Sequence, residues 1–173
     1  MKLSPEEFID KILIKKLNTK LITVGFNYRF GYKASGDVEL LKKISIEKEI
    51  EVNIMPPVYI EQEIVSSTVI RNSIKAGNIK KAKKFLGRNF SIIGSVIEGK
   101  NRGRKLGFPT ANIKLHDNYV IPKEGVYVTN TFIDGQKFIS LTNIGYNPTF
   151  NESELKIETF ILDFNGNLYG KTL

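Results

Sequence analysis

Residues 103–113 read Gly-Arg-Lys-Leu-Gly-Phe-Pro-Thr-Ala-Asn-Ile, which sets a threonine hydroxyl and an asparagine amide oxygen two residues apart, at Thr110 and Asn112. In an extended segment that spacing turns both side chains to the same side. Two hard oxygens on one side are a protein contribution that Mg²⁺ accepts together with nucleotide phosphates and water. Pro109 fixes the backbone that enters the pair. Upstream, Gly94, Gly99, Gly103 and Gly107 permit close backbone approach, while Lys100, Arg102, Arg104 and Lys105 offset phosphate charge. Spacing alone equally allows a basic hairpin loop carrying an incidental Thr-x-Asn.

Two further groups could take part. Glu158 is the single acid in the apolar run Ile157–Leu162. It reads either as a glutamate on the exposed face of a strand or as a general base near Thr110 and Asn112. As a base it would take a hydroxyl proton during phosphoryl transfer. The stretch 143–150, Asn-Ile-Gly-Tyr-Asn-Pro-Thr-Phe, reads as a polar loop bent by Gly145 and Pro148. His116, the sole histidine, reads as a surface residue, which leaves little room for histidine-based chemistry. The absence of cysteine excludes a disulfide framework, a thiolate nucleophile and a cysteine zinc site.

The 173 residues, 41% of them hydrophobic, suit one ordinary globular domain or two small ones. No apolar run approaches a membrane span, and the first twenty residues lack the unbroken apolar core of a signal peptide, so a cytoplasmic location is expected. The net charge is +8, carried by 21 lysines and 5 arginines. Between Lys75 and Lys105 ten basic residues face one acid, Glu98, a net of +9. An anion, either nucleotide phosphate or nucleic acid, is expected to visit that region.

The elements that must hold these groups fall into two grammars. Ser4-Pro5-Glu6-Glu7 predicts a capped helix start, with Phe8, Ile12, Leu13 and Leu17 on one face through about Asn18. Residues 21–26 predict a short buried strand, and Gly36-Asp37 opens a second helix. A strand around Val52–Ile60 is broken or bent by Pro56-Pro57. Ser66-Ser67-Thr68 caps a helix closed by Gly77, and Asn78 caps another closed by Gly87. This alternation predicts an α/β unit with a parallel sheet. Past residue 87 helix signals nearly vanish. A strand with a bend or close approach at Gly94, a hairpin around Asp134-Gly135, and strands near Ile157 and Leu168 predict an all-β, barrel-like module. The expected domains are therefore 1–87 and 88–173.

Taken together, GxVxxGxxRGRKLGFPTAN, Gly125-Val126-Tyr127, the 143–150 stretch and the run from Ile157 to Gly170 resemble the riboflavin kinase module. Residues 24–31 and the Ser-Ser-Thr-x-x-Arg motif at 66–71, with the lysine-rich helix that follows, resemble the second half of the adenylyltransferase module of bacterial bifunctional FAD synthetases. The resemblance runs from about Leu3 to Leu173. It implies a partial Rossmann-like nucleotidyltransferase domain followed by a small β-barrel. It implies that Thr110 and Asn112 bind Mg²⁺ with the ATP phosphates, and that Glu158 activates the ribityl 5′-hydroxyl of riboflavin. The loop from Gly94 to Gly107, including Gly99, Arg104 and Lys105, would close over the nucleotide. Asn27, Ser67, Thr68 and Arg71 would contact ATP or the flavin phosphate.

The family's opening strand and its histidine-containing phosphate motif have no counterpart here, nor has its continuation past residue 173. The chain is therefore expected to be a piece of a longer protein in which FMN adenylylation is absent or very weak. The expected partners are small molecules (riboflavin, FMN and ATP), with no nucleic acid and no membrane. Two rival readings are an inactive remnant and a basic nucleic-acid-binding barrel. The second is weakened because only Phe85 and Phe90 punctuate the basic segment, and a stacking platform interleaves aromatics with charge.

Overall fold

In the computed structural model the described residues are 2–99, 109–147 and 152–173. The chain divides into two compact units, Met1–Val65 and Ser66–Leu173. The change of sequence character at residue 87 thus falls inside the second unit.

The first unit begins with α1 (Pro5–Phe8). Ser4 accepts a hydrogen bond from the Glu7 amide at 3.2 Å, and the Ser4 amide donates to the Glu7 carboxylate at 3.0 Å, completing the capping box. The hydrogen bond from Lys11, and then that from the Ser4 amide, holds the Glu7 carboxyl below its ordinary pKa. Its contribution to the helix start is therefore present at neutral pH and fades on acidification. The regular helix expected through Asn18 does not persist. Ile9–Ile14 is π-helical, with Lys15 N–H bonding Asp10 C=O at 3.0 Å. The wider turn rotates later residues, so Leu17 is solvent-exposed while Ile9 is fully buried.

β1 (Leu21–Gly25) and β2 (Glu51–Met55) pair in parallel, joined by α2 (Val38–Glu47) with Asp37 as its N-cap. This is the expected parallel sheet, but β1 is not a buried strand. Its burial alternates, with Ile22 and Val24 facing the core and Leu21 half-exposed on the other side. The helices cover one face of the pair only. Ile9, Phe30, Leu41 and Ile44 form the core, with Phe8, Leu13, Ile14 and Val52 packed around them. Burying a side chain of this kind contributes about 1.5–3 kcal/mol. Pro56-Pro57 ends β2 as expected. Beyond it lies a small hairpin absent from the sequence reading, β3 (Tyr59–Ile60) and β4 (Glu63–Ile64). Its turn residues Glu61 and Gln62 both take positive φ, a conformation that neither residue type advertises.

The second unit opens with α3 (Ser67–Lys75) and α4 (Ile79–Leu86), capped by Ser66 and Asn78 and closed by Gly87 in the left-handed region. The turn between them lies against the sheet: a Cβ added at Gly77 would be 3.4 Å from the Tyr127 hydroxyl. Five antiparallel strands follow: β5 (Gly94–Ile97), β6 (Thr110–Leu115), β7 (Gly125–Ile133), β8 (Gln136–Asn147) and β9 (Glu152–Ile161). Their spatial order is β5-β6-β9-β8-β7. The last residues extend the sheet beyond β5. Gly94 exchanges backbone hydrogen bonds with Leu173, and Val96 with Lys171 and Gly170. The Lys171 ammonium then pairs with Asp134 in the β7–β8 turn. Residues 143–147 belong to β8 rather than to a bent loop. Gly145 pairs in register with Lys156, and a register shift follows at Tyr146/Asn147. Pro148 lies outside the described residues.

One face of the sheet is buried and carries hydroxyls as well as isoleucines. Thr142 lies 2.7 Å from Thr129 and 3.0 Å from Thr159, oxygen to oxygen, and Ser140 donates to Thr131 at 2.8 Å. These hydrogen bonds cross β7, β8 and β9 and satisfy groups that would otherwise be costly to bury. Ile133, Ile144, Ile157 and Ile161 fill the space between them.

The first unit depends on its small core. Leu41→Ala, at a position only 1% exposed, is expected to cost about 3 kcal/mol. Urea unfolding followed by far-ultraviolet circular dichroism checks this, and a loss under about 1 kcal/mol would show that the core refills the space.

Candidate active site

The antiparallel register decides what the candidate residues can do together. Asn112 of β6 stands directly opposite Glu158 of β9, and Glu158 stands opposite Asn143 of β8. Directly opposed residues have Cβ atoms about 4.5–5.5 Å apart. Thr110 lies two residues from Asn112 on the same face, and the intervening Ala111 is buried on the other. Asn112 and Glu158 are half-buried and Thr110 is exposed. The result is a polar row, Asn112–Glu158–Asn143, bounded by Ile97 and Val126 at its ends and by Phe160 beside Thr110.

The row is acidic at one point only. Among the described residues, no hydrogen bond or ion pair engages the Glu158 carboxylate. Thr110 and Asn112 supply neutral oxygens of the hard type that magnesium prefers. The geometry thus sets two neutral oxygen donors on the same face as one carboxylate. Asn143 is a member that the sequence reading missed. It lies in the flagged 143–150 stretch, but its place opposite Glu158 depends on the β8–β9 register, which no local signal encodes.

The upstream glycines have separate tasks. A Cβ on Gly94 would sit 2.5 Å from the Lys114 carbonyl oxygen, so β5 approaches β6 at van der Waals limits. A Cβ on Gly99 would lie 2.6 Å from Asn112 Cγ and closer still to its amide nitrogen. Gly99 thus leaves the space that the Asn112 side chain occupies. Pro109 is exposed immediately before β6. Arg104, Lys105 and Gly107 lie outside the described residues, as do Lys100, Arg102 and Gly103.

The remaining candidates form two other groups. Asn27 is exposed in the turn after β1, at the carboxyl end of a parallel strand, where α/β sheets place ligands. Ser67, Thr68 and Arg71 are exposed on the first turns of α3, where free amides and a guanidinium suit an anion. Asn27 belongs to the first unit and these three to the second. His116 is exposed, with its Nε2 2.6 Å from Ser95 Oγ, and takes no part in the polar row.

The sequence matches the riboflavin kinase family model over residues 86–173. The chain belongs to the riboflavin kinase family. The match contains the whole polar row and both close-approach glycines. A second model, FAD synthetase, matches residues 1–69; it includes Asn27, Ser67 and Thr68 and ends two residues before Arg71. A bifunctional riboflavin kinase/FMN adenylyltransferase of Listeria monocytogenes is 38% identical over 170 residues, which cover 98% of this chain and 54% of that protein. One from Buchnera aphidicola subsp. Schizaphis graminum is 42% identical over 171 residues, covering 96% and 54%. The chain spans about half the length of the curated relatives it matches.

A crystal structure described as a macrolide-efflux protein from Streptococcus pneumoniae superposes with a TM-score of 0.87 at 41% identity, covering 99% of this chain and 55% of that one. Among the described residues of this riboflavin kinase family member, no helix is long and apolar enough to cross a membrane.

Gly99→Ala is expected to displace the Asn112 side chain while leaving the β5–β6 pairing intact. The side-chain amide resonances of Asn112 in a nitrogen–proton NMR spectrum should move, with the backbone resonances of β8 and β9 unchanged. Unmoved Asn112 resonances would show that β5 yields instead.

Proposed function

We propose that this chain carries out the ATP-dependent phosphorylation of riboflavin to FMN, the flavin-nucleotide step that its family's name describes. The register of Asn112 against Glu158, with Thr110 on the same face, carries this reading. Thr110 and Asn112 would hold a magnesium ion together with the ATP phosphates. When bound, that ion supplies charge neutralisation at the phosphate oxygens. Glu158 orients the ribityl 5′-hydroxyl and accepts its proton as the hydroxyl oxygen bonds to the γ-phosphorus; ADP departs with the bridging oxygen. Asn143 lies beside Glu158 and orients the carboxylate or the substrate's other hydroxyls. Gly94 and Gly99 bring β5 close enough to fix Asn112, and the positive charge of Arg104 and Lys105, with Gly107 in the same sequence motif, is assigned to nucleotide binding. The sheet, with the Lys171–Asp134 ion pair in support, is read as the family's small barrel.

The same reading extends to the first unit. The parallel β1–β2 pair with α2 is read as part of a Rossmann-like adenylyltransferase domain, with Asn27 a contact for ATP or flavin phosphate; Ser67, Thr68 and Arg71, which lie in the second unit, are each read as such a contact by themselves. Residues 1–87 and 88–173 are the corresponding functional divisions, with FMN adenylylation to FAD assigned to the whole protein.

Incubation with riboflavin, ATP and Mg²⁺, followed by chromatographic separation of the flavins, tests the kinase reading. FMN formation is the expected result, and its absence under saturating ATP and riboflavin would overturn the reading for this chain. Asn112→Ala should abolish use of Mg-ATP with the fold intact, because it removes a ligand and no core packing. Glu158→Gln should retain nucleotide binding, measured by calorimetry, and lose at least about a hundredfold in turnover, the usual contribution of a positioned base. Loss of binding together with turnover would make Glu158 structural or a metal ligand instead.

A further inference from the structure

A second concavity lies away from the polar row. It has a volume of about 300 Å³ and is bounded by α3, the end of α4, the segment leading into β5 and residues 119–120. Its lining is mostly aliphatic, with Ile70, Ile74 and Leu86 among it, and includes two aromatic side chains, Phe90 and Tyr119. None of Thr110, Asn112, Asn143 or Glu158 lines it, so it is separate from the kinase site. The volume is at the lower end for small-molecule pockets. It admits one or two fused rings rather than a whole dinucleotide.

Its charge is one-sided. Arg88 is the sole ionisable lining group apart from the Tyr119 phenol, and it is exposed. Its one described bond runs from Nη1 to the neighbouring Asn89 carbonyl, at a long 3.3 Å, which leaves four guanidinium N–H donors without a described partner. From Ser66 to Ile97 the sequence carries seven basic residues and no acid. An apolar concavity whose lining includes two aromatic side chains and an exposed guanidinium favours an apolar aromatic body with one negative group.

From this we infer that the cavity is a second ligand site, built for a small planar aromatic anion (a ring system bearing a carboxylate, sulfonate or phosphate). The rings meet the apolar lining that includes Phe90, Tyr119 and Ile74, and the anionic group meets Arg88. The site stands independently of the proposed kinase reaction.

The test uses the whole chain and two probes that differ in charge alone, 1-anilinonaphthalene-8-sulfonate and neutral N-phenyl-1-naphthylamine. Fluorescence titration should give one saturable site for the sulfonate, and amide shifts should concentrate at residues 70–74 and 86–91. Arg88→Gln changes an exposed side chain and should weaken the sulfonate about tenfold while leaving the neutral probe within twofold. Ile70→Trp should fill the slot and abolish both. Shifts centred on the exposed faces of β7 and β8, equal effects of Arg88→Gln on the two probes, or no saturable binding below millimolar concentration would each overturn the assignment.

Discussion

Everything about the polar row depends on how β9 is held between β6 and β8. Side chains alternate along a strand with a period of two, so a slip of one residue would send Glu158 into the interior and bring Thr159 to the site. The buried hydroxyls oppose that slip. Thr142 contacts both Thr129 and Thr159 through hydrogen bonds that only one register satisfies. An interior of isoleucine alone would be sticky but less selective, because apolar contact has no directional preference. The polar side of the sheet is thus positioned by polar groups on its hidden side, through the backbone between them.

The same sheet shows how closeness is achieved without disorder. Close approach at Gly94 and Gly99 is not a matter of freedom in φ; neither glycine takes a positive φ. What matters is missing volume. At Gly94 the void admits the neighbouring strand's backbone, and at Gly99 it admits the amide of Asn112. The two positions serve one end: β5 lies close over β6 and leaves the Asn112 side chain a defined place.

Much of this was legible in the residues and some was not. Helix caps at Ser4, Asp37, Ser66 and Asn78, the break at Pro56-Pro57 and the turn at Asp134-Gly135 are local chemistry, and local chemistry is written locally. Thr110 and Asn112 could be placed on one face because their spacing needs only an extended backbone. The pairing of Asn112 with Glu158 joins residues 46 positions apart, and no neighbouring residue announces it. The π-helical stretch, the exposed side of β1 and the Glu61-Gln62 turn escaped for a related reason. Each is imposed by packing that overrides what the residue types prefer. The position of Asn143 escaped because a strand that runs on to Asn147 looks, by composition, like a loop.

The pairing of Lys171 and Leu173 with β5 has a consequence for how the molecule comes to exist. Its partners, Gly94 and Val96, are made more than seventy residues earlier. During synthesis β5 has one finished neighbour at most until residues 170–173 have been made. Contacts so distant in sequence slow folding, since loop closure must precede any reward. For that interval β5 is an open strand edge beside a lysine-rich segment, and the like charges there discourage two nascent chains from pairing edge to edge. The basic residues from Lys75 to Arg88 then have a use in the chain's unfinished state.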